Sequence, residues 1–422
     1  MRNYINKLIV LAICAGAWFA MSCTEDMVCK FDDNGEGAAL QAPESNPCGI
    51  GVNDQSYQIL PLTNATTVAN FDVDKFVADI AAELNVSVKG WQLAVGYDDK
   101  VIRATAGGLR SGSKDCPSEL EMTACTKMNI GSQTKAIICA AIINLLDEKG
   151  INPTSETIKD YLPTGWADQG GSDFMTFGSV LGHRSGYEVN AAGNTKDDVK
   201  AWYVAGPTNA PFEWVYLNAH YSFMRELFPK IYEKVRDVDF TEEEVSTHQQ
   251  TSALLVNFLE NEFIQPLGNP EPIISWPDDG SRVYYFDDIN DNDGEQRDFQ
   301  NIGAGTLSIS VVNMVKFYME LWNGTKGIIS PNVKNYMVED GSELGINRFG
   351  FTTGGPINEE YYGHGGTISN YFSNTLVLPG NLFVSLGVNS CFQVDGSVTE
   401  GNQCNSFGVT QVILNHYRNA FN

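Results

Sequence analysis

Positive charge is scarce in this chain. Lysine and arginine number 27 against 52 aspartates and glutamates, a formal net charge of −25 over 422 residues. Such a field repels phosphate backbones and anionic bilayers, so it argues against nucleic acid as a partner and against membrane binding by surface charge. It suits solubility outside the cell. Paired Cys-x-x-Cys units are missing, which argues against a structural zinc site, and no metal is expected. A Gly-x-Ser-x-Gly elbow is missing too, which excludes an α/β-hydrolase. Past the N-terminal leader no run of 18 or more apolar residues occurs, so the remainder reads as soluble. Histidine is rare, at five residues.

What is present begins with Ser132-Gln133-Thr134-Lys135. A serine and a lysine three apart on a first helical turn share one face, so the amine can reach the hydroxyl. A serine N–H at a helix N-terminus can also help hold an oxyanion. The spacing alone arises about once by chance in a chain of this length, and Ser111-Gly112-Ser113-Lys114 is such a decoy, with no apolar helix behind it. Ser132 differs in its setting. Gly131 precedes it, an apolar run from Ala136 to Leu146 follows, and Gly150 supplies a stop. A helix apolar on nearly all sides is a central, buried one.

The N-terminus reads as an export signal, with Arg2 and Lys7 before a short apolar core from Leu8 to Ala20. Ala20-Met21-Ser22-Cys23 resembles a bacterial lipoprotein cleavage box, although Ala20 stands where leucine is usual. Cys23 is then the lipidated first residue of an envelope-anchored, exported protein, periplasmic or at the outer cell surface. Thr24-Glu25-Asp26 resembles the acidic tag of surface lipoproteins. Residues 1–22 are thus a leader, 23–67 a tether rich in Gly, Pro, Asn and Asp, and 68–422 the globular domain. Cys29 with Cys48, Cys116 with Cys125, and Cys391 with Cys404 are plausible local disulfides, whereas Cys139 lies in the apolar helix as a buried thiol. The acidic run Asp287–Glu295 is read as a solvated loop, because Ile289 and Gln300 stand where a calcium loop needs carboxylates.

Along the domain, Phe71 to Leu84 reads as a helix. Trp91–Tyr97 and Val101–Ala106 read as a hairpin turning at Asp98-Asp99. Tyr371–Leu378 and Leu382–Asn389 form a second strand pair, and Val409–Tyr417 a closing helix. The middle is mostly helical. The expected fold is therefore α/β: an antiparallel sheet built from both chain ends, flanked by helices, with a mostly helical inserted lobe and Ser132 at the junction.

With Ser-x-x-Lys in that setting, the chain resembles the serine β-lactamase and penicillin-binding-protein superfamily, and within it the class C β-lactamase-like serine hydrolases. Two further motifs of that family follow in order. Tyr216-Leu217-Asn218 fits its Tyr-x-Asn, 84 residues after Ser132. His364-Gly365-Gly366 followed by Thr367 fits its His-x-Gly strand, where small residues let substrate backbone approach. Leu181 to Gly186 resembles a structural segment, which makes His183 a scaffold residue, and Gly303 to Ser308 one that packs a helix behind the site. The resemblance spans about residues 70 to 420.

It implies that Ser132 attacks a carbonyl, that Lys135 and Tyr216 share the base role as a coupled pair with tyrosinate character, and that Tyr216 delivers a proton to the leaving group. The Ser132 and Thr367 amides hold the oxyanion. Asn218, His364, Gly366 and Thr367 meet the substrate. No cofactor is needed. His364 stands where β-lactamases and DD-peptidases have a permanently charged lysine, which lowers the expectation of β-lactam hydrolysis and raises that of D-amino-acid peptide or ester cleavage. The substrate is a small molecule or peptide. The rival reading is a catalytically weak, penicillin-binding or sensor-type lipoprotein. The acidic segment from Asp278 to Asp298 is expected to cap the site.

Overall fold

Residues 57–63, 68–111, 120–166, 173–208, 213–268, 302–339, 344–353, 355–368, 371–392 and 406–421 are described by the structure, a computed structural model of the chain. Strands β1 (Ile59–Thr63) and β2 (Val68–Asp72) pair as an antiparallel ribbon. The tether reading of residues 23–67 therefore extends too far, since β1 lies inside it. The helix read from Phe71 begins instead at Val73 (α1, Val73–Ser87). The Asp72 carboxylate accepts from Lys75 N and caps the helix there. Phe71, one residue earlier, faces Leu60 across the ribbon and packs on Phe76 and Tyr417 at 5.3 and 5.4 Å between ring centroids.

The hairpin of β3 (Gly90–Tyr97) and β4 (Lys100–Gly108) turns at Asp98-Asp99, with Asp98 at φ 50°. A two-residue strand, β5 (Met128–Asn129), leads to the Ser132 turn and helix α2 (Thr134–Asp147). The helical lobe follows: α3 (Phe177–Leu181), α4 (Lys196–Ala205), α5 (Asn218–Arg236) and α6 (His248–Phe258). The chain returns through β6 (Ser308–Ile309), which pairs with β5, then α7 (Val311–Asn323) and the short α8 (Pro331–Lys334). It ends with β7 (Asn347–Phe351), β8 (Glu360–Ile368), β9 (Tyr371–Leu378), β10 (Leu382–Val388) and helix α9 (Ser406–Asn419).

Both chain ends build one six-stranded sheet, ordered β4-β3-β10-β9-β8-β7 and antiparallel throughout. Its central strands are covered on both faces, so they read as continuous apolar runs. Alternate residues divide between two cores. Leu93, Val95, Val384 and Leu386 face α1 and α9, while Ala94 and Phe383 face α7 and the lobe. Helix α2 runs through the second core, and all its residues except Asn144 and Asp147 are buried. Asn144 is not wasted there: its side chain binds Ser330 N and Ile328 O at 2.8 and 3.3 Å. Cys139, midway along α2, is a buried free thiol. Cys125 and Cys391 are disulfide-bonded. Cys23, Cys29, Cys48, Cys116, Cys404 and the acidic segment 278–298 lie outside the described residues.

Candidate active site

Ser132 sits on a short 3₁₀ turn, Gly131–Gln133, that runs straight into α2. Three bonds fix this turn, the last of them to the six-stranded sheet. Ile130 N donates to Leu307 O at 2.9 Å, Gly131 N to Asn129 Oδ1 at 2.9 Å, and Gln133 Nε2 to Ser373 Oγ on β9 at 2.7 Å. The turn meets strand β8 backbone to backbone. Gly131 has φ +53°, and a Cβ there would lie 2.7 Å from Thr367 N. A Cβ on Gly366 would lie 1.8 Å from Ile130 O. Glycine at both places is thus a condition for setting the Thr367 amide beside the Ser132 turn.

Lys135 is fully buried. Its Nζ lies 2.9 Å from Ser132 Oγ and donates to Ala304 O at 2.5 Å. The rings of Tyr216 and Tyr221 stand 5.1 and 5.8 Å away. Desolvation lowers its pKa from 10.5 to about 7. That displacement corresponds to about 5 kcal/mol in favour of the neutral amine. The carbonyl at Ala304 is presented by a tight loop in which Gly303 has φ +111°, and any Cβ there would come within 2.4 Å of Tyr221 O. Buried Arg225, paired with Glu226, holds Ile302 O and Asn194 O at 3.4 and 2.6 Å and so pins the same loop.

Tyr216 lies on an extended stretch just before α5. The residue is 37 % exposed at the cleft mouth, and its hydroxyl interacts with Ser132. Burial raises its pKa above 10.0, and the hydrogen bond with Ser132 opposes this only in part. That direction leads away from a tyrosinate, so of the two groups expected to share the base role the Lys135 amine is the more readily deprotonated.

His183 packs its ring 4.5 Å from that of Tyr216. It holds a left-handed backbone, φ 58°. Its Nδ1 accepts from Leu217 N at 3.2 Å and from His220 Nδ1 at 3.0 Å, while Ser185 Oγ donates to His220 Nε2 at 2.5 Å. Two neutral imidazoles satisfy this chain, with the proton on Nδ1 of His220 and on Nε2 of His183. Desolvation agrees, lowering His183 to about 2 and His220 to about 3. The pair is a clamp for the Tyr216 stretch. His220 carries no motif, and its role was not legible in the sequence.

His364, on β8, is buried, and desolvation followed by the Lys135 charge lowers its pKa to about 4. Its Nδ1–H donates to Gly365 O at 2.6 Å, which leaves Nε2 as an acceptor. Ser132, Tyr216, His364 and Thr367 together line one cleft of about 250 Å³. Asn218 does not line it; it begins α5 and is exposed. The cleft's other walls come from Asn347 and Phe349 of β7, Asn374 of β9, and Ser406 and Thr410 of α9. None of these was expected, because only sheet pairing and the docking of α9 bring them to the serine. Among the described residues, no group of His, Cys, Asp and Glu could hold a metal ion.

A serine–lysine pair on a buried helix, between a helical lobe and an antiparallel sheet, defines the serine β-lactamase type of fold. A model of the family described as Beta-lactamase matches residues 73–398, and the chain belongs to that family. Solved structures agree in fold. The octameric penicillin-binding protein homologue from Pyrococcus abyssi is 19 % identical, with 77 % of this chain and 74 % of that chain covered at TM-score 0.56. D-amino acid amidase from Ochrobactrum anthropi SV3, complexed with L-phenylalanine amide, is 16 % identical, with 82 % and 98 % covered at TM-score 0.58. The β-lactamase/D-alanine carboxypeptidase from Pseudomonas syringae is 10 % identical, with 81 % and 98 % covered at TM-score 0.59. No curated protein sequence matches the chain significantly.

The close passage of the turn and β8 predicts a sharp contrast between two glycines. Gly366→Ala must part the strand from Ile130 and should cost at least about 3 kcal/mol or abolish folding. Gly355→Ala, whose nearest neighbour would be Arg418 at 3.8 Å, should stay within about 0.5 kcal/mol. Urea unfolding midpoints of the two variants measure the difference.

Proposed function

We propose that this protein is an exported serine hydrolase, of the class C β-lactamase-like kind, that cleaves an amide or ester through an acyl-enzyme. The observation that carries this reading is the 2.9 Å contact between Ser132 Oγ and a Lys135 amine that is desolvated to a pKa of about 7. A serine hydroxyl needs a base, and a lysine at its ordinary pKa cannot act as one. Neutral Lys135 takes the Ser132 proton as Oγ bonds to the substrate carbonyl carbon. The amides of Ser132 and Thr367 hold the resulting oxyanion. On collapse, the carbonyl–nitrogen or carbonyl–oxygen bond breaks. The proton on Lys135 reaches the leaving group through the Tyr216 hydroxyl, which gives one proton and takes another. Water then attacks the acyl carbonyl and returns its proton by the same route, which frees Ser132. The amidase and carboxypeptidase among the similar folds make D-amino-acid amides and peptides the first substrates to try.

The leader and cysteine at position 23 support a second part of the proposal. The mature chain starts at Cys23, lipid-anchored to the bacterial envelope. Among the described residues no helix is long and apolar enough to cross a membrane, so the anchor in this reading is the acyl chain alone. A palmitate analogue fed to expressing bacteria should label the full chain and not Cys23→Ser. Equal labelling of both would refute the anchor.

Reaction with a fluorophosphonate probe, read by intact mass, tests the nucleophile. One adduct per chain should form, vanish in Ser132→Ala and slow at least about 100-fold in Lys135→Ala. The sign of the pH dependence follows from the lowered pKa. Below about pH 7 Lys135 is protonated and inert, so the labelling rate should rise with pH through a midpoint near 7. A folded protein that takes no label would instead be the catalytically weak, penicillin-binding type.

A further inference from the structure

We propose that His364 Nε2 is the acceptor that holds the deacylating water, which makes His364 a catalytic residue of the second half-reaction. The inference rests on the acyl-enzyme reading given above and adds a group to its last step. Once Ser132 is acylated, a water must be held beside the ester carbonyl with a lone pair turned towards its carbon. That takes an acceptor in the same cleft that is not engaged elsewhere.

The fold puts the His364 ring on the side of the serine. Side chains alternate along β8. A Cβ on Gly366 would meet Ile130 O, next to the Ser132 turn, whereas one on Gly365 would lie 2.6 Å from Ser406 Oγ of α9. His364 shares the parity of Gly366, so its ring projects on the Ser132 face. It lines the cleft with Ser132 and Tyr216, within electrostatic range of Lys135 and His183.

The ring has one orientation. A carbonyl can only accept, so Nδ1 carries the proton towards Gly365 O and the lone pair is on Nε2. Among the described residues Nε2 has no hydrogen-bond partner, yet it is not one of the sealed polar atoms. It is therefore open, and the opening beside it is the cleft. The other polar groups of the cleft lie on the far face. Thr367, Asn374, Ser406 and Thr410 bond to one another there, and Asn347 shares that face with Phe349, which packs on the α9 core. No carboxylate is among the described residues lining the cleft. On the serine side this leaves Tyr216, which passes protons to and from Lys135, and His364.

The water gives one hydrogen bond to Nε2 and the other to the Tyr216 hydroxyl. As its oxygen bonds to the acyl carbon, the O–H facing Tyr216 breaks and a proton reaches Lys135. On collapse the bond from Oγ to the acyl carbon breaks, and Ser132 recovers that proton. The hydrogen held by His364 stays on the product acid. The ring remains neutral throughout, consistent with a pKa lowered to about 4.

Reaction with 4-nitrophenyl acetate separates the two half-reactions. The nitrophenolate burst times acylation, and intact mass times the loss of acetyl from Ser132 after the ester is removed. In His364→Leu the burst rate should stay within about threefold of the unaltered protein while deacylation slows at least about tenfold, so that kcat and KM fall together. His364→Gln, which offers an amide oxygen near the same place, should recover part of the loss. If the leucine variant fails to fold, His364→Ala takes its place in the comparison. A burst slowed as much as deacylation, or a glutamine variant slower than leucine, would overturn the proposal. An acetyl adduct whose loss is unmoved in folded variants would overturn this inference alone, whereas no adduct on the unaltered protein would overturn the hydrolase reading with it.

Discussion

A lysine amine shut away from water and set against a serine hydroxyl is the constraint on which the rest of this structure depends. Burial makes the charged ammonium costly, so Lys135 tends to neutrality near physiological pH. That requires desolvated surroundings, and the first turn of the buried, largely apolar helix α2 supplies them. It also requires a carbonyl for the amine's own hydrogen, and the tight Gly303 loop supplies Ala304 O. The loop is pinned by a buried Arg225–Glu226 pair with no solvent exposure. An arrangement this demanding is hard to account for as plain scaffolding.

Neutrality extends through the histidines of the site. His183, His220 and His364 are all pushed well below their ordinary pKa by desolvation, and the Lys135 charge acts on each in the same direction. Protonating any one of them would cost more while Lys135 is charged. Over the range in which Lys135 gains and loses its proton, the imidazoles therefore act as fixed hydrogen-bonding groups. Two of them clamp the Tyr216 stretch, and the third faces the cleft.

Much of this was legible in the sequence, for identifiable reasons. Ser132 and Lys135 are three residues apart on one helix, so their meeting is a local matter. Tyr216 and His364 were found as short motifs in order, and the structure gathers both around Ser132. Asn218 was named with them, but the start of α5 turns it out of the cleft wall. The sheet from both chain ends followed from strong strand patterns at both ends. What escaped was non-local or depended on a single bond. Asn374, Ser406 and Thr410 meet only through the β8–β9 register and the docking of α9. The helix start moved from Phe71 to Val73 because of one Asp72 cap. The burial of Tyr216, which raises its pKa in spite of its interaction with Ser132, is likewise invisible in sequence.

The central claim is that Lys135, beside Ser132, loses its proton near pH 7, far below the range of an ordinary lysine. Its most direct test is a nitrogen-15 NMR titration of the lysine side chains in the full chain, with Lys135→Arg to assign the resonance. The account predicts one lysine with a midpoint near 7, absent from the variant. If Lys135 titrates with the others near 10.4, its amine is an ordinary ammonium and the proposed base is wrong.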